Sequence, residues 1–199
     1  IEEAAEIPEP ALISSLFPSL RRVVQVGDHK QLRASIASYD LCEMKKLDVS
    51  SFARLVNCKV PFETLSTQNR MAPPLLGPVL LHYPNLASNL SIVGKLPYPP
   101  PWLEKPLFGW SHLEPETATP DSRSKTNIFE ADRAVMLATF LLRQGFKPTS
   151  ITILTPYVGQ LMQIRAKLKR LGSEERALGL DDLNSKTVDE FQGDESEIV

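Results

Sequence analysis

The stretch Val23-Val24-Gln25-Val26-Gly27-Asp28-His29-Lys30-Gln31-Leu32 decides the fold class of this chain. Its apolar first half reads as a buried strand, and its second half as a Gly-Asp turn that presents a carboxylate and an amide. Open α/β sheets bind ligands at the carboxyl ends of their strands, and this layout puts Asp28 and Gln31 at such an end. Working outward, three more polar blocks border apolar runs: Ile1-Glu2-Glu3-Ala4, Gln68-Asn69-Arg70-Met71 and Thr187-Val188-Asp189-Glu190-Phe191-Gln192-Gly193. Short polar motifs arise singly by chance; four in a fixed order seldom do.

The segments between the blocks alternate helix and strand patterns. Residues 11–20 carry apolar residues at helical spacing ahead of the strand expected over 23–26. Residues 47–56 read as a short helix with Ser50 or Ser51 near its amino end. A strand over 62–65 leads to the Arg70 turn, and Pro73 and Pro74 suit the first turn of a helix through residues 75–81. From about residue 83 to 123 recurrent prolines break every long period, so this is read as an irregular excursion. Within it, Tyr98-Pro99-Pro100-Pro101-Trp102 reads as a structural loop before a polyproline recognition site, and residues 107–110 as a short strand. Beyond it come a helix over 129–142 ended by Gly145, a strand over 151–154, a helix over 158–171, a strand over 185–188, and an apolar strand pattern opening at Glu197-Ile198. The basic residues Arg165, Lys167, Lys169 and Arg170 on the 158–171 helix suit a solvated face before a binding stripe. This alternation predicts an α/β fold, a parallel sheet with helices on both faces.

Composition narrows the class without fixing the chemistry. With 199 residues and 42% of them hydrophobic, the chain has material for a sizeable core. Its net charge of −2 and pI near 6.0 give no global basic field of the kind that advertises nucleic-acid binding. Cys42 and Cys58 are too few for a disulfide framework and too far apart for a zinc knuckle, which points to an intracellular protein with reduced thiols. No apolar run is long enough to span a membrane, and no signal-peptide pattern is present. The chain opens without Met and stops at Val199 inside an apolar pattern, so it is expected to be a stretch of a longer protein.

Each block has residues suited to phosphate chemistry. Two adjacent acids, Glu2 and Glu3, can divide the tasks of holding a magnesium shell and orienting an attacking water. The Gln31 amide both donates and accepts, so it can register whether a terminal phosphate is present. A guanidinium such as that of Arg70 stabilises charge on a transferring phosphoryl group. Gly193 permits close backbone approach, and the amide and carboxylates around Gln192 can contact ribose or a nucleic-acid backbone.

Glu2-Glu3-Ala4-Ala5, Gly27-Asp28-His29-Lys30-Gln31-Leu32, Gln68-Asn69-Arg70-Met71, Thr155-Pro156-Tyr157-Val158-Gly159-Gln160 and Val188-Asp189-Glu190-Phe191-Gln192-Gly193-Asp194-Glu195 follow one another in an order that resembles superfamily-one helicases. The likeness is to motifs II, III and IV, the Thr-Pro-Tyr element, and motif V of the Upf-like branch, nearest to NFX-type zinc-finger helicases that act with RNA in small-RNA silencing. It spans nearly the whole chain apart from the Pro-rich excursion. The resemblance implies a RecA-like P-loop NTPase fold, with residues 1–48 ending a first RecA-like domain and 49–199 forming most of a second. It implies ATP and Mg2+ as cofactors, with Glu2 as the magnesium acid, Glu3 as the catalytic acid, Gln31 as the γ-phosphate sensor and Arg70 as the arginine finger. Glu195 would touch the nucleotide, in a set that also holds Asp28, Gln68, Asn69, Gln192 and Gly193. The implied partners are RNA or single-stranded DNA and the RNA-silencing machinery, in the nucleus or cytoplasm and away from membranes.

Three departures stand out. Glu2 occupies the usual Asp of motif II, and Asn69 occupies the place of an aromatic residue that stacks on adenine, which weakens the expected base contact. No Gly-x-x-x-x-Gly-Lys-Ser/Thr loop and no Arg-bearing motif VI occur in these residues. Asn69 keeps a second reading open, a helicase-like module that clamps nucleic acid or docks partners without turnover. A third, an unrelated P-loop ATPase, is disfavoured by the Thr-Pro-Tyr element and motif V.

Overall fold

Regular structure forms where the apolar period is regular, and in the computed structural model that is chiefly the second half of the chain. The structure describes residues 1–95, 105–118 and 124–199. They fall into two units, Ile1–Trp110 and Ser111–Val199, each described by itself.

The first unit carries the short helices α1 (Glu9–Ser14), α2 (Tyr39–Lys45) and α3 (Ser51–Asn57). A strand β1 (Thr67–Gln68) follows, then a 3-10 turn (Pro73–Leu75) running into α4 (Leu76–Leu80), a strand β2 (Ala87–Ser88) and α5 (Leu90–Val93). Helix α3 starts where a cap is available: the Ser50 side chain accepts from the Ala53 amide, and Ser50 is fully buried. The proline pair begins its turn as expected, because its missing N–H groups fall where helix amides have no partner. Strands β1 and β2 are parallel, with Thr67 opposite Ala87 and Gln68 opposite Ser88.

Several strands expected in this unit differ. Residues 23–26 form no named strand, and Val23, Val24 and Val26 are exposed. They are nevertheless extended and paired: Ile1 donates from its amino terminus to Val24 O at 3.0 Å, Val26 N to Ile1 O at 2.9 Å, and Ala4 N to Val26 O at 3.0 Å. That is a parallel ladder with one neighbour, too short to cover the valines on either face. Residues 62–65 and 107–110 also form no strand, with Leu65 89% exposed; the pairing edge lies two residues later, at Thr67. Helix α1 is shorter than the apolar spacing over 11–20 suggests, and Leu16, Phe17 and Leu20 are exposed.

The second unit matches the periodic reading more closely. It comprises β3 (Thr117–Ala118), β4 (Lys125–Thr126), α6 (Ile128–Arg143), β5 (Thr152–Thr155), α7 (Val158–Lys169), α8 (Ser173–Ala177) and β6 (Asn184–Thr187). Strands β3 and β4 form an antiparallel pair at the edge of the excursion, which its prolines concealed. Strands β5 and β6 are parallel from Thr152 opposite Asn184 to Thr155 opposite Thr187. Ile198 bridges in parallel to Ile151, with Thr152 N donating to Ile198 O and Thr155 O accepting from Val188 N. Successive residues of a strand point their peptide groups to opposite edges, so Ile198 and β6 flank β5 on its two sides. Helices α6 and α7 bury Ala131, Val135, Ala138, Leu141, Leu142, Ile164 and Leu168 against Ile151, Leu180 and Leu183. The basic face of α7 is partly structural: Arg165 donates to Ser185 O at 2.7 Å, and Lys167 pairs with Asp132. The Tyr98–Trp102 run lies outside the described residues.

Candidate functional site

The parallel pairing of the Ile1–Ala4 segment with residues 24–26 brings the acid pair beside the Gly27-Asp28 turn. The approach is close enough to require glycine. A Cβ on Gly27 would lie 2.9 Å from Ala4 N and 3.1 Å from Ala5 N. Ala4 and Ala5 are buried, while Glu2 and Glu3 face solvent. Glu3 takes a left-handed backbone, φ 45°. Lys46 and Lys59, which share that region, follow α2 and α3, whereas Glu3 turns the chain within the paired segment, between Ile1 and Ala4. A non-glycine residue held there costs on the order of 1 kcal/mol or more, and such strain collects at working sites.

Past Gly27 the chain folds around the Asp28 carboxylate. One oxygen, Oδ2, accepts from the Gln31 amide at 2.9 Å and from the Tyr83 hydroxyl at 2.6 Å. The other, Oδ1, accepts from the Lys30 backbone N–H at 2.9 Å, an Asx turn. Burial opposes ionisation of Asp28, but the hydrogen bonds from Tyr83, Lys30 and Gln31 outweigh it and hold the carboxyl below its ordinary value. Burial and the Asp28 hydrogen bond push the Tyr83 hydroxyl up to about 12. Lys30 completes the cluster: its ammonium donates to His82 O at 2.7 Å and sits 5.1 Å from the Tyr83 ring centroid.

The Arg70 turn is built by Gln68. Its side-chain oxygen accepts from Arg70 N and Met71 N, both at 2.8 Å, and its amide donates to Met71 O at 2.9 Å and to Ser88 Oγ at 2.7 Å. The half-buried Gln68 thus ties the turn to β2, and exposed Asn69 and Arg70 project from it. Every polar atom of the Gln68 side chain is engaged in shaping this loop.

In the second unit, Thr187 and Glu190 lock the motif V turn reciprocally. Glu190 N donates to Thr187 Oγ1 at 3.2 Å and Thr187 N to Glu190 Oε2 at 3.1 Å, a capping box. Lys186 pairs with Asp194 across the turn. Gly193 has φ 82°, which favours glycine, and next to it are half-buried Gln192 and, two residues on, exposed Glu195. In the Thr-Pro-Tyr element, Gln160 is buried and exchanges two hydrogen bonds with the Asn127 backbone, at 2.8 and 2.9 Å. Asn127 in turn caps α6 by accepting from Glu130 N at 3.1 Å.

The structure therefore brings Asp28 together with Gln31, and Gln68 with Arg70. Reading the sequence missed Tyr83, because it stands at the start of the Pro-rich stretch with no polar block around it. Among the described residues no group of three or more His, Cys, Asp or Glu gathers as a metal site. Magnesium needs fewer: it keeps several waters and takes one or two carboxylates plus phosphate oxygens. Exposed Glu2 fits that role, whereas the Asp28 carboxylate is already occupied by three protein donors.

Comparison with known proteins matches residues 47–199 to a family model described as an AAA domain. The chain is 35% identical over 201 aligned residues to the mouse NFX1-type zinc finger-containing protein 1, covering all of this chain and 10% of that protein. It is 36% identical over 200 residues to the Schizosaccharomyces pombe helicase required for RNAi-mediated heterochromatin assembly 1, covering 19% of that protein. It is 29% identical over 206 residues to the Saccharomyces cerevisiae ATP-dependent helicase NAM7, covering 21% of it. The chain thus spans about a tenth to a fifth of the length of these relatives. With its motif blocks in order and the AAA-domain model matched over most of its length, the chain belongs to the Upf-like branch of the superfamily-one helicases.

Proposed function

We propose that this chain supplies the Gln31 and Arg70 elements of an ATP-dependent helicase that couples hydrolysis to movement along RNA or single-stranded DNA, within a polypeptide that also provides a phosphate loop. The observation that carries this reading is the close pairing of the Ile1–Ala4 segment with residues 24–26, which sets two acids beside the Gln31 turn. In this reading Glu2 would help to hold Mg2+, which would supply charge neutralisation at the phosphates. Glu3 orients the attacking water, Gln31 contacts the terminal phosphate, and Arg70 meets the phosphoryl charge from its Gln68-braced turn. Asp28 and Gln68 serve by positioning, while Asn69, Gln192, Gly193 and Glu195 lie along the nucleotide. In the same reading residues 1–48 close a first RecA-like domain and 49–199 form most of a second. The relative named for RNAi-mediated heterochromatin assembly supports a role in RNA silencing; RNA surveillance, and a place in the nucleus or cytoplasm, belong to the same reading. Among the described residues no helix is long and apolar enough to cross a membrane.

In the full-length protein, Arg70→Ala is expected to lower nucleic-acid-stimulated ATP turnover by about a thousandfold while leaving ATP binding largely intact. Turnover equal to wild type would reject Arg70 as the finger. Exposed Asn69, in place of a stacking ring, favours the second reading of a clamp without turnover; a wild-type protein that binds RNA but hydrolyses no ATP would establish it.

A further inference from the structure

We infer that Tyr83 is a positioning residue for Gln31, and that the Asp28–Tyr83 hydrogen bond, braced by Lys30, clamps the phosphate-sensing turn to the end of the helix that follows the Arg70 turn. The inference rests on the functional reading above, since it concerns how Gln31 is aimed.

Asp28 Oδ2 accepts from both the Tyr83 hydroxyl and the Gln31 amide, so a single oxygen orients the two groups against each other. At 2.6 Å the Tyr83 bond is in the range of charge-assisted O–H donors to carboxylates. A second strut, from Lys30 Nζ to His82 O, joins the same two stretches independently, and the Lys30 ammonium also faces the Tyr83 ring. The chain holding Tyr83 is short and stiff where it matters. Pro73 opens the turn that runs into α4, and the His82 and Tyr83 amides both bond back to Val79 O, so Tyr83 is fixed relative to the helix. The Arg70 turn lies immediately before this helix and is fixed by Gln68. A displacement of the helix therefore moves Tyr83, and through Asp28 it re-aims the Gln31 amide. No polar block surrounds Tyr83 in the sequence; only the fold shows the connection.

The experiment uses the full-length protein and measures kcat and KM for ATP, with nucleic acid saturating, for wild type, Tyr83→Phe, Asp28→Asn, the double variant and Arg70→Ala. Tyr83→Phe keeps the ring and its contact with Lys30 and removes only the hydroxyl. It is expected to lower kcat about tenfold with KM for ATP nearly unchanged and melting temperature lowered only slightly. The double variant should be no slower than the slower single one, because both changes break one linkage. Tyr83→Phe with wild-type kcat, or losses that multiply in the double variant, would overturn the clamp. If Tyr83→Phe is normal while Arg70→Ala is inactive, the clamp fails and the helicase reading stands. If wild type itself shows no turnover, the helicase reading fails and takes the clamp with it.

Discussion

The two units of this chain are held together in different ways. In Ser111–Val199 two helices and a parallel strand pair enclose a continuous apolar cluster from Ala131 to Leu183. In Ile1–Trp110 the buried side chains are few and small, chiefly Ala4, Ala5, Leu12, Ala34, Ser50, Ser51 and Val93, while many large apolar residues face outward. That unit is organised instead by polar pins: the Asp28 cluster, the Gln68 turn, the Ser50 cap and the Arg54–Glu9 ion pair. Hydrophobic burial is non-directional and scales with area, whereas hydrogen bonds fix direction and contribute about 1 kcal/mol each. The first unit has the construction suited to aiming particular groups, and the second that suited to a stable platform.

The largest effect that would sharpen this contrast is in the second core. Ile164 is 2% exposed, and Ile164→Ala is expected to cost about 2–5 kcal/mol by denaturant unfolding. Leu65→Ala in the first unit, at a side chain 89% exposed, should stay within about 0.5 kcal/mol. Equal costs at the two sites would break the distinction. Next in size is Gly27→Ala, whose new Cβ would meet the Ala4 amide at 2.9 Å. It is expected to cost about 1–3 kcal/mol and to speed hydrogen exchange at Ala4 and Val26 while leaving amides of α6 and α7 as they were.

The smallest effect is a pH dependence that reports the Asp28–Tyr83 bond. Asp28 has a lowered pKa, so its contribution is complete above the ordinary aspartate value of 3.8 and is lost as pH falls through the lower folded value. Tyr83 is raised to about 12, so its contribution is complete below the ordinary 10.0 and is lost as pH rises through about 12. The stability difference between wild type and Tyr83→Phe should therefore be flat across neutral pH and close at both extremes. A difference that persists unchanged once pH has fallen through the lowered folded value of Asp28 would mean that the lost hydroxyl was stabilising something other than the Asp28 carboxylate.

Legibility followed the same division. Helices α6 and α7 and strands β5 and β6 fall within a few residues of the ranges expected from periodicity, because their apolar faces are buried in one core. The strands expected over 23–26, 62–65 and 107–110 did not form as named strands, because an apolar run specifies a strand only when neighbours cover both its faces and its edges. The prolines of the excursion hid the β3–β4 pair, whose members flank undescribed residues. For the site, the blocks at Glu2, Gln31 and Arg70 stood out in the sequence as a carboxylate, an amide and a guanidinium suited to phosphate chemistry, the roles proposed for them above. What braces them was not: Gln68 appeared as a nucleotide contact, and the structure spends all its polar atoms on the Arg70 turn and β2.

By itself the sequence determined the family, through the order of its polar blocks, and the helical platform of the second unit, because both are local patterns that survive without knowledge of neighbours. The tertiary structure alone decided that Gly27 must lack a side chain, that Ile1 lies parallel to residue 25, and that Tyr83 meets Asp28 across 55 positions of chain. Contacts between residues so far apart depend on how loops close, and a hydroxyl that finds a carboxylate leaves no periodicity behind in the residues around it.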